Sequence, residues 1–202
     1  MYLVCLLDSS SRKWLDCVME DKAKALWKKL CLEQQGHGFD VSWREVDAIE
    51  LSRGLDLLPP NWVGIEIGTH NGASTCFIAN YTKPKMLLTV DVDECKQAKE
   101  NTKDLNVTMV REKSESFSRE WSYCGLDLDF DFIFIDGDHS FSSVVEDINC
   151  WSKHLKVGGI MSGHDFTKED SGVKNAVNFL MTPDKWLKIS CEEVWVFQKM
   201  EV

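Results

Sequence analysis

The sequence predicts a doubly wound α/β fold on a mostly parallel sheet, and three observations carry that reading. Short apolar runs at residues 63–67, 86–90 and 132–135, with a weaker one at 159–162, are separated by stretches of helical periodicity. That is the pattern of parallel strands covered on both faces. Each run ends in a polar cluster, as expected where a ligand crevice opens at the carboxyl ends of such strands. The tail then adds two strand candidates too close together for a crossover helix, which predicts an antiparallel pair at the sheet edge.

The elements follow in chain order. Residues 1–7 are apolar but lack a basic flank and meet Asp8 too early for a signal-peptide core. Trp14, Leu15, Val18, Met19, Ala25, Leu26 and Leu30 recur at helical spacing, and Gly36-His37-Gly38 interrupts the pattern. Ser42 with Glu45 forms a capping-box signal for a second helix, which Gly54 and Pro59-Pro60 would end. Residues 1–60 therefore read as a helical prefix packing on a core of residues 61–202, one domain overall. Of Trp14, Trp27, Trp43 and Trp62, most are expected in the core, with Trp43 the exception that reaches a ligand pocket.

Between the strands, the strongest helix begins near Ser143, with Glu146 completing a capping box and Val144, Ile148, Trp151 and Leu155 on one face. Gly158-Gly159 is read as its stop. The edge pair is placed at residues 186–189 and 194–197.

Composition narrows the function. The chain has 202 residues, 44% of them hydrophobic, enough to fill one core but not two. The 33 acidic and 23 basic residues give a net charge of -10, which opposes attraction to nucleic acid or anionic membranes. No apolar run approaches the roughly 20 residues that cross a bilayer. The eight cysteines, at positions 5, 17, 31, 76, 95, 124, 150 and 191, show no metal-finger spacing. They read as reduced thiols, and the chain as cytoplasmic.

The polar clusters are Gly68-Thr69-His70-Asn71-Gly72, Asp91-Val92-Asp93, Asp136-Gly137-Asp138-His139 and Gly163-His164-Asp165. In the first, His70 stands where a dinucleotide loop has its middle glycine, and Glu66 precedes the loop. A carboxylate there repels pyrophosphate and suits a ligand carrying a sulfonium and an amino group, such as S-adenosylmethionine.

Residues 63–74 resemble the first motif of class I methyltransferases. Residues 131–140, followed by 155–159 and 163–166, resemble the small-molecule and sugar O-methyltransferases that include the macrolide-sugar and catechol O-methyltransferase relatives. The similarity spans roughly residues 60–166. It implies a Rossmann-like, mostly parallel seven-stranded sheet with an antiparallel edge pair and an N-terminal helical prefix. It also implies S-adenosylmethionine as cofactor. Glu66, Gly68, Thr69, His70, Asn71, Gly72 and Ser74 would surround its methionine part, with Asp136 nearby. Asp91 would accept the ribose hydroxyls, Asp93 being its rival, and Ser114 would contact adenine. A divalent metal, Mg²⁺ or Mn²⁺, would sit on Asp136, His164 and Asp165, the histidine also admitting Fe²⁺ or Zn²⁺. The base would be Asp138 or His139, with His139 preferred for its ordinary pKa of about 6.5.

A plainer reading stands beside these roles, in which Asp138 and His139 cap the following helix and His164 bonds backbone. His37 reads as a loop residue and His154 as an exposed one. The expected partner is a small-molecule hydroxyl acceptor, a sugar or phenol, with no nucleic acid and no membrane, and a homodimer is left open. The rival functions are a nicotinamide-dependent oxidoreductase and a non-catalytic cofactor-binding module on the same fold.

Overall fold

In a computed structural model the described residues are 9–33, 43–123, 128–167 and 172–200, with side chains from residue 16 onward. The readings of residues 1–7, Cys5, Gly36-His37-Gly38, Ser42 and Cys124, and of the Trp14 and Leu15 side chains, lie outside them.

Two helices precede the sheet: α1 (Ser9–Glu33) and α2 (Glu45–Leu55). Ala23, Trp27 and Leu30 form the inward stripe of α1. The predicted face is thus turned, with Val18 and Ala25 at solvent, because Trp27 offers the largest apolar surface to bury. At the start of α2, Arg44 rather than Ser42 holds the cap position, and its N–H donates to Asp47 Oδ2 at 2.7 Å. Gly54 does not end this helix. Its missing side chain lets α2 press on the sheet, where a Cβ would stand 2.9 Å from Val196 Cγ1.

From β1 (Val63–Ile67) onward, strands and helices alternate: α3 (Ala73–Thr82), β2 (Met86–Asp91), α4 (Lys96–Asn101), β3 (Val107–Arg111), α5 (Ser114–Tyr123), β4 (Phe130–Ile135), α6 (Phe141–Trp151), β5 (Leu155–Gly163), α7 (Gly172–Leu180), β6 (Trp186–Cys191) and β7 (Trp195–Lys199). The sheet order is β3-β2-β1-β4-β5-β7-β6. The first five strands run parallel, and β7 is antiparallel to both β5 and β6. This is the predicted mostly parallel sheet with an antiparallel edge.

Side chains alternate across the pleat, so β4 feeds two cores at once. Phe132 and Phe134 pack with Trp27, Leu51, Phe77 and Val196 on one face, while Ile133 and Ile135 meet Val144, Ile148, Trp151 and Val177 on the other. Two local expectations shift. Helix α6 begins at Phe141, capped by Ser140, whose Oγ accepts from Ser143 N–H at 3.3 Å. Ser140 has the extended backbone that a cap requires. The helix ends at Trp151 rather than at Gly158-Gly159. Those glycines lie within β5, where the register against β4 shifts between Phe130 and Phe132, and Leu155 belongs to that strand. Among the described residues no helix is long and apolar enough to cross a membrane.

Candidate active site

The strand order reverses between β1 and β4, and the carboxyl ends of β1, β2, β4 and β5 open there into a cavity of about 1030 Å³. Gly68, His70, Asp91, Ser114, Asp136, Asp138, His139, His164 and Asp165 all line it. Nine of the predicted residues thus meet in one space. Nine carboxylates line the wall, against Arg44, Lys113 and three histidines.

The remaining predicted residues build the glycine loop from beneath. Glu66 is fully buried and accepts hydrogens from Ser74 at 2.5 Å, from Thr75, and from Thr89 at 2.8 Å. Because the Thr89 hydrogen goes to Glu66, the 2.6 Å contact between Thr69 and Thr89 must have Thr69 as donor. Burial pushes the Glu66 pKa up to about 7 against those hydrogen bonds. Asn71 ties the loop to α4, its carbonyl accepting from Asn101 Nδ2 at 2.8 Å. Gly72 supplies the left-handed turn into α3. Gly68 sits at φ +92°, and a Cβ there would lie 2.1 Å from the Asp136 carbonyl oxygen, so only glycine lets β1 and β4 end this close.

Asp91 ends β2 as a fixed acceptor. Its Oδ2 takes the Thr69 and His70 N–H groups at 2.8 and 3.0 Å, and its Oδ1 takes the Asp93 N–H at 2.9 Å. Burial opposes its charge, but these backbone donors outweigh it and hold the carboxyl below its ordinary range. Asp93 donates to Asp91 and does not line the large cavity. Between the two, Asp91 is the one that lines the large cavity.

Across the cavity, His139 Nδ1 stands 3.0 Å from Asp165 Oδ2, and its Nε2 stands 3.6 Å from Asp136 Oδ1. His164 is 8% exposed, with Nδ1 3.6 Å from Asp165 and 3.9 Å from Asp136. Burial works against a charged His164 ring, but the carboxylates of Asp165, Asp47 and Asp136 outweigh it and raise the pKa to about 10. Asp165 adopts φ +62°, an uncommon conformation for a residue with a side chain. Asp138 accepts the Ser140 N–H at 2.7 Å, a turn that precedes α6, whose cap is Ser140 itself.

The donor set suits a divalent cation. Ligand atoms of Asp136, His139 and Asp165 lie within 4.8 Å of one another, as do those of His164, Asp165 and Glu193. Mixed carboxylate and imidazole donors favour Mn²⁺, Fe²⁺ or Zn²⁺ over Mg²⁺. His164 thus falls in the second of these groups with Asp165, while the first brings in His139, which the sequence reading assigns as a base rather than a ligand.

Sequence reasoning found Trp43, which stacks on His164 with centroids 5.8 Å apart and an interplanar angle of 23°. It missed Asp47, Asp147 and Glu193. Asp47 is fully buried at the start of α2, with its Oδ2 3.6 Å from His164 Nε2. Its sequence signal was its place three residues after Arg44, a capping position rather than a site position.

A family model described as a methyltransferase domain matches residues 65–166. No curated protein matches the sequence. Similar solved structures include an O-methyltransferase from Bacillus cereus in complex with SAH, at 15% identity and TM-score 0.66, covering 88% of this chain and 91% of that one. They also include an rRNA methylase from Streptococcus thermophilus, at 13% identity and TM-score 0.60, covering 80% and 100%. A third is the N-methyltransferase NodS from Bradyrhizobium japonicum in complex with S-adenosyl-L-homocysteine, at 19% identity and TM-score 0.57, covering 75% and 84%. At these identities the likeness concerns the fold, and the three acceptors differ. The family match spans half of the chain and runs from within β1 through β5, taking in the strand ends that build the cavity, and on that ground the protein belongs to the family of class I S-adenosylmethionine-dependent methyltransferase domains.

Proposed function

We propose that this protein transfers a methyl group from S-adenosylmethionine to a hydroxyl of a small molecule, a sugar or a phenol. The observation that carries the reading is the His139–Asp165 pair, 3.0 Å apart on the cavity wall and beside Asp136. When bound, the donor supplies a methyl carbon on a sulfonium, open to in-line attack. Asp91 and the loop from Gly68 to Gly72 hold it, and the acidic wall favours its positive charge while opposing a phosphate-bearing acceptor.

Asp165 accepts the Nδ1 hydrogen of His139 and so orients the ring with Nε2 as the nitrogen that acts as base. As the acceptor oxygen takes the methyl group, its proton passes to that nitrogen, and Asp136, 3.6 Å away, stabilises the imidazolium formed. A positioned base of this kind contributes about 10²- to 10⁴-fold. Asp136, His139 and Asp165 are also the residues that would hold a divalent cation, which when bound supplies a Lewis acid that lowers the pKa of the acceptor hydroxyl.

An acceptor panel with isotope-labelled donor, run with and without EDTA, tests the proposal. Methylation of a sugar or phenol hydroxyl is expected. Transfer abolished by EDTA makes His139 a ligand, and transfer indifferent to EDTA makes it the base. Methylation only of RNA or of an amine would overturn the hydroxyl assignment, and no transfer across the panel would favour a non-catalytic module.

A further inference from the structure

We infer that Arg44 and Glu193 together grip a second hydroxyl of the methyl acceptor, which makes that acceptor a neutral polyol such as a sugar ring rather than a phenol. The inference deepens the proposed function and rests on transfer to a hydroxyl.

Both residues line the cavity, on a wall formed by stretches outside residues 65–166. Arg44 caps the start of α2, and its Nε and Nη2 donate to Asp47 at 3.2 and 2.8 Å. Engagement through that edge fixes the plane of the guanidinium and leaves Nη1, with two hydrogens, bonded to no described residue. The side chain is 55% exposed while Asp47 is buried beneath it, so Arg44 offers hydrogens to the cavity with its charge already balanced.

Glu193 stands in the turn between β6 and β7, and its backbone is tied on both sides. Its carbonyl accepts the Phe166 N–H at 3.1 Å, and the next residue, Val194, donates to Glu50 at 2.8 Å. The Glu193 Oε2 atom accepts from Thr167, whereas Oε1 takes no hydrogen from any described residue. Oε2 lies 3.9 Å from Arg44 Nη2. That gap is too wide for a hydrogen bond and narrow enough for one oxygen atom to bridge, accepting from the guanidinium and donating to the carboxylate.

Charge decides what fits between them. Glu193 repels an anion and Arg44 a cation, whereas a hydroxyl is neutral and carries a lone pair and a hydrogen on one atom. Ligand atoms of Glu193 and Asp165 lie within 4.8 Å of one another, and Asp165 stands 3.0 Å from His139. The gripped hydroxyl is therefore a near neighbour of the one that gives its proton to His139, as on adjacent carbons of a sugar. A phenol would need a flat apolar slot at this wall. Trp43 is the one indole or phenyl group lining the cavity among the described residues, and it is 6% exposed with its face laid on His164.

Initial rates of the full chain with isotope-labelled S-adenosylmethionine test this on a panel of methyl hexopyranosides, phenol and catechol. A glycoside is expected to be the best acceptor. Among its analogues lacking one hydroxyl each, one altered beside the methylated position should lose at least about 10-fold in kcat/KM, the loss of a hydrogen bond to charged partners. This comparison needs no variant. In Glu193→Gln, Thr167 claims the single side-chain oxygen and the amide N–H₂ faces the gap beside Arg44, giving two donors and no acceptor. The discrimination between the glycoside and that deoxy analogue should then shrink to within about threefold. An unchanged ratio in this variant, uniform rates across the deoxy series, or phenol or catechol as the better acceptor would each overturn the inference and leave transfer to a hydroxyl standing. No transfer to any hydroxyl would overturn the proposed function together with this inference.

Discussion

His164 holds its Nε2 atom 3.6 Å from the buried carboxylate of Asp47, joining the end of β5 to a helix more than a hundred residues earlier in the chain. The contact exceeds hydrogen-bonding distance, so it is charge that binds the two. The folded pKa of His164, about 10, lies above its ordinary 6.5. A group raised in this way contributes stability that is complete below the unfolded value and lost as pH rises through the folded one. In EDTA, urea unfolding of the wild type should therefore weaken between about pH 6.5 and 10 relative to His164→Gln. A parallel pH dependence of the two proteins would contradict the ion pair.

Glu66 shows the same sign from a different cause, since burial and not an ion pair raises it. Its folded pKa of about 7 lies above the ordinary 4.5, so the folded state binds the extra proton and stability falls as pH rises between those values. Glu66→Gln, which cannot ionise, should improve relative to wild type by on the order of 2 kcal/mol between pH 4.5 and 8. Urea denaturation at both pH values measures the difference, and a constant offset would show that Glu66 stays charged.

At Gly68 even a methyl group meets the Asp136 carbonyl oxygen. Gly68→Ala should cost more than about 2 kcal/mol and abolish binding of S-adenosyl-L-homocysteine, since the loop that faces the cavity cannot keep its path. Thermal unfolding and calorimetry check the two halves. Wild-type affinity in this variant would mean that the strand ends part without consequence.

Asp165 tests the chemistry apart from donor binding. Asparagine tolerates the left-handed backbone at this position, so Asp165→Asn removes the charge without adding strain. Turnover should fall by about 10²- to 10⁴-fold while the Kd of S-adenosyl-L-homocysteine stays within about threefold. If donor affinity falls together with turnover, Asp165 is structural.

The strands were legible because burial on both faces leaves apolar runs that few other structures require, and the edge pair because the four residues between 186–189 and 194–197 cannot hold a crossover. Site residues at strand ends were legible for the same topological reason. What escaped depends on distance or on local competition. Asp47 meets His164, and Glu193 meets the cavity, only through tertiary packing, from α2 and from the turn before β7, and no sequence neighbour marks either as a site residue. Ser140 and Ser143 both begin cap-like patterns, and only the backbone angle at Ser140 chooses between them. Val18 was placed inward because periodicity alone does not weigh Trp27 above its neighbours. Glu66 and Ser74 lie under the loop rather than on it, a distinction of side-chain direction that spacing does not encode.

Glu50, on α2, accepts the N–H of Val194 at 2.8 Å, which seats that helix beside the turn carrying Glu193. Trp43, Arg44 and Glu193 consequently form a wall of the cavity from stretches outside residues 65–166, whereas Gly68, Asp91 and Asp147 lie inside them. The cavity is thus assembled from two portions of the chain, so a change at Trp43 or Arg44 reshapes one wall and leaves the strand ends that form the other in place.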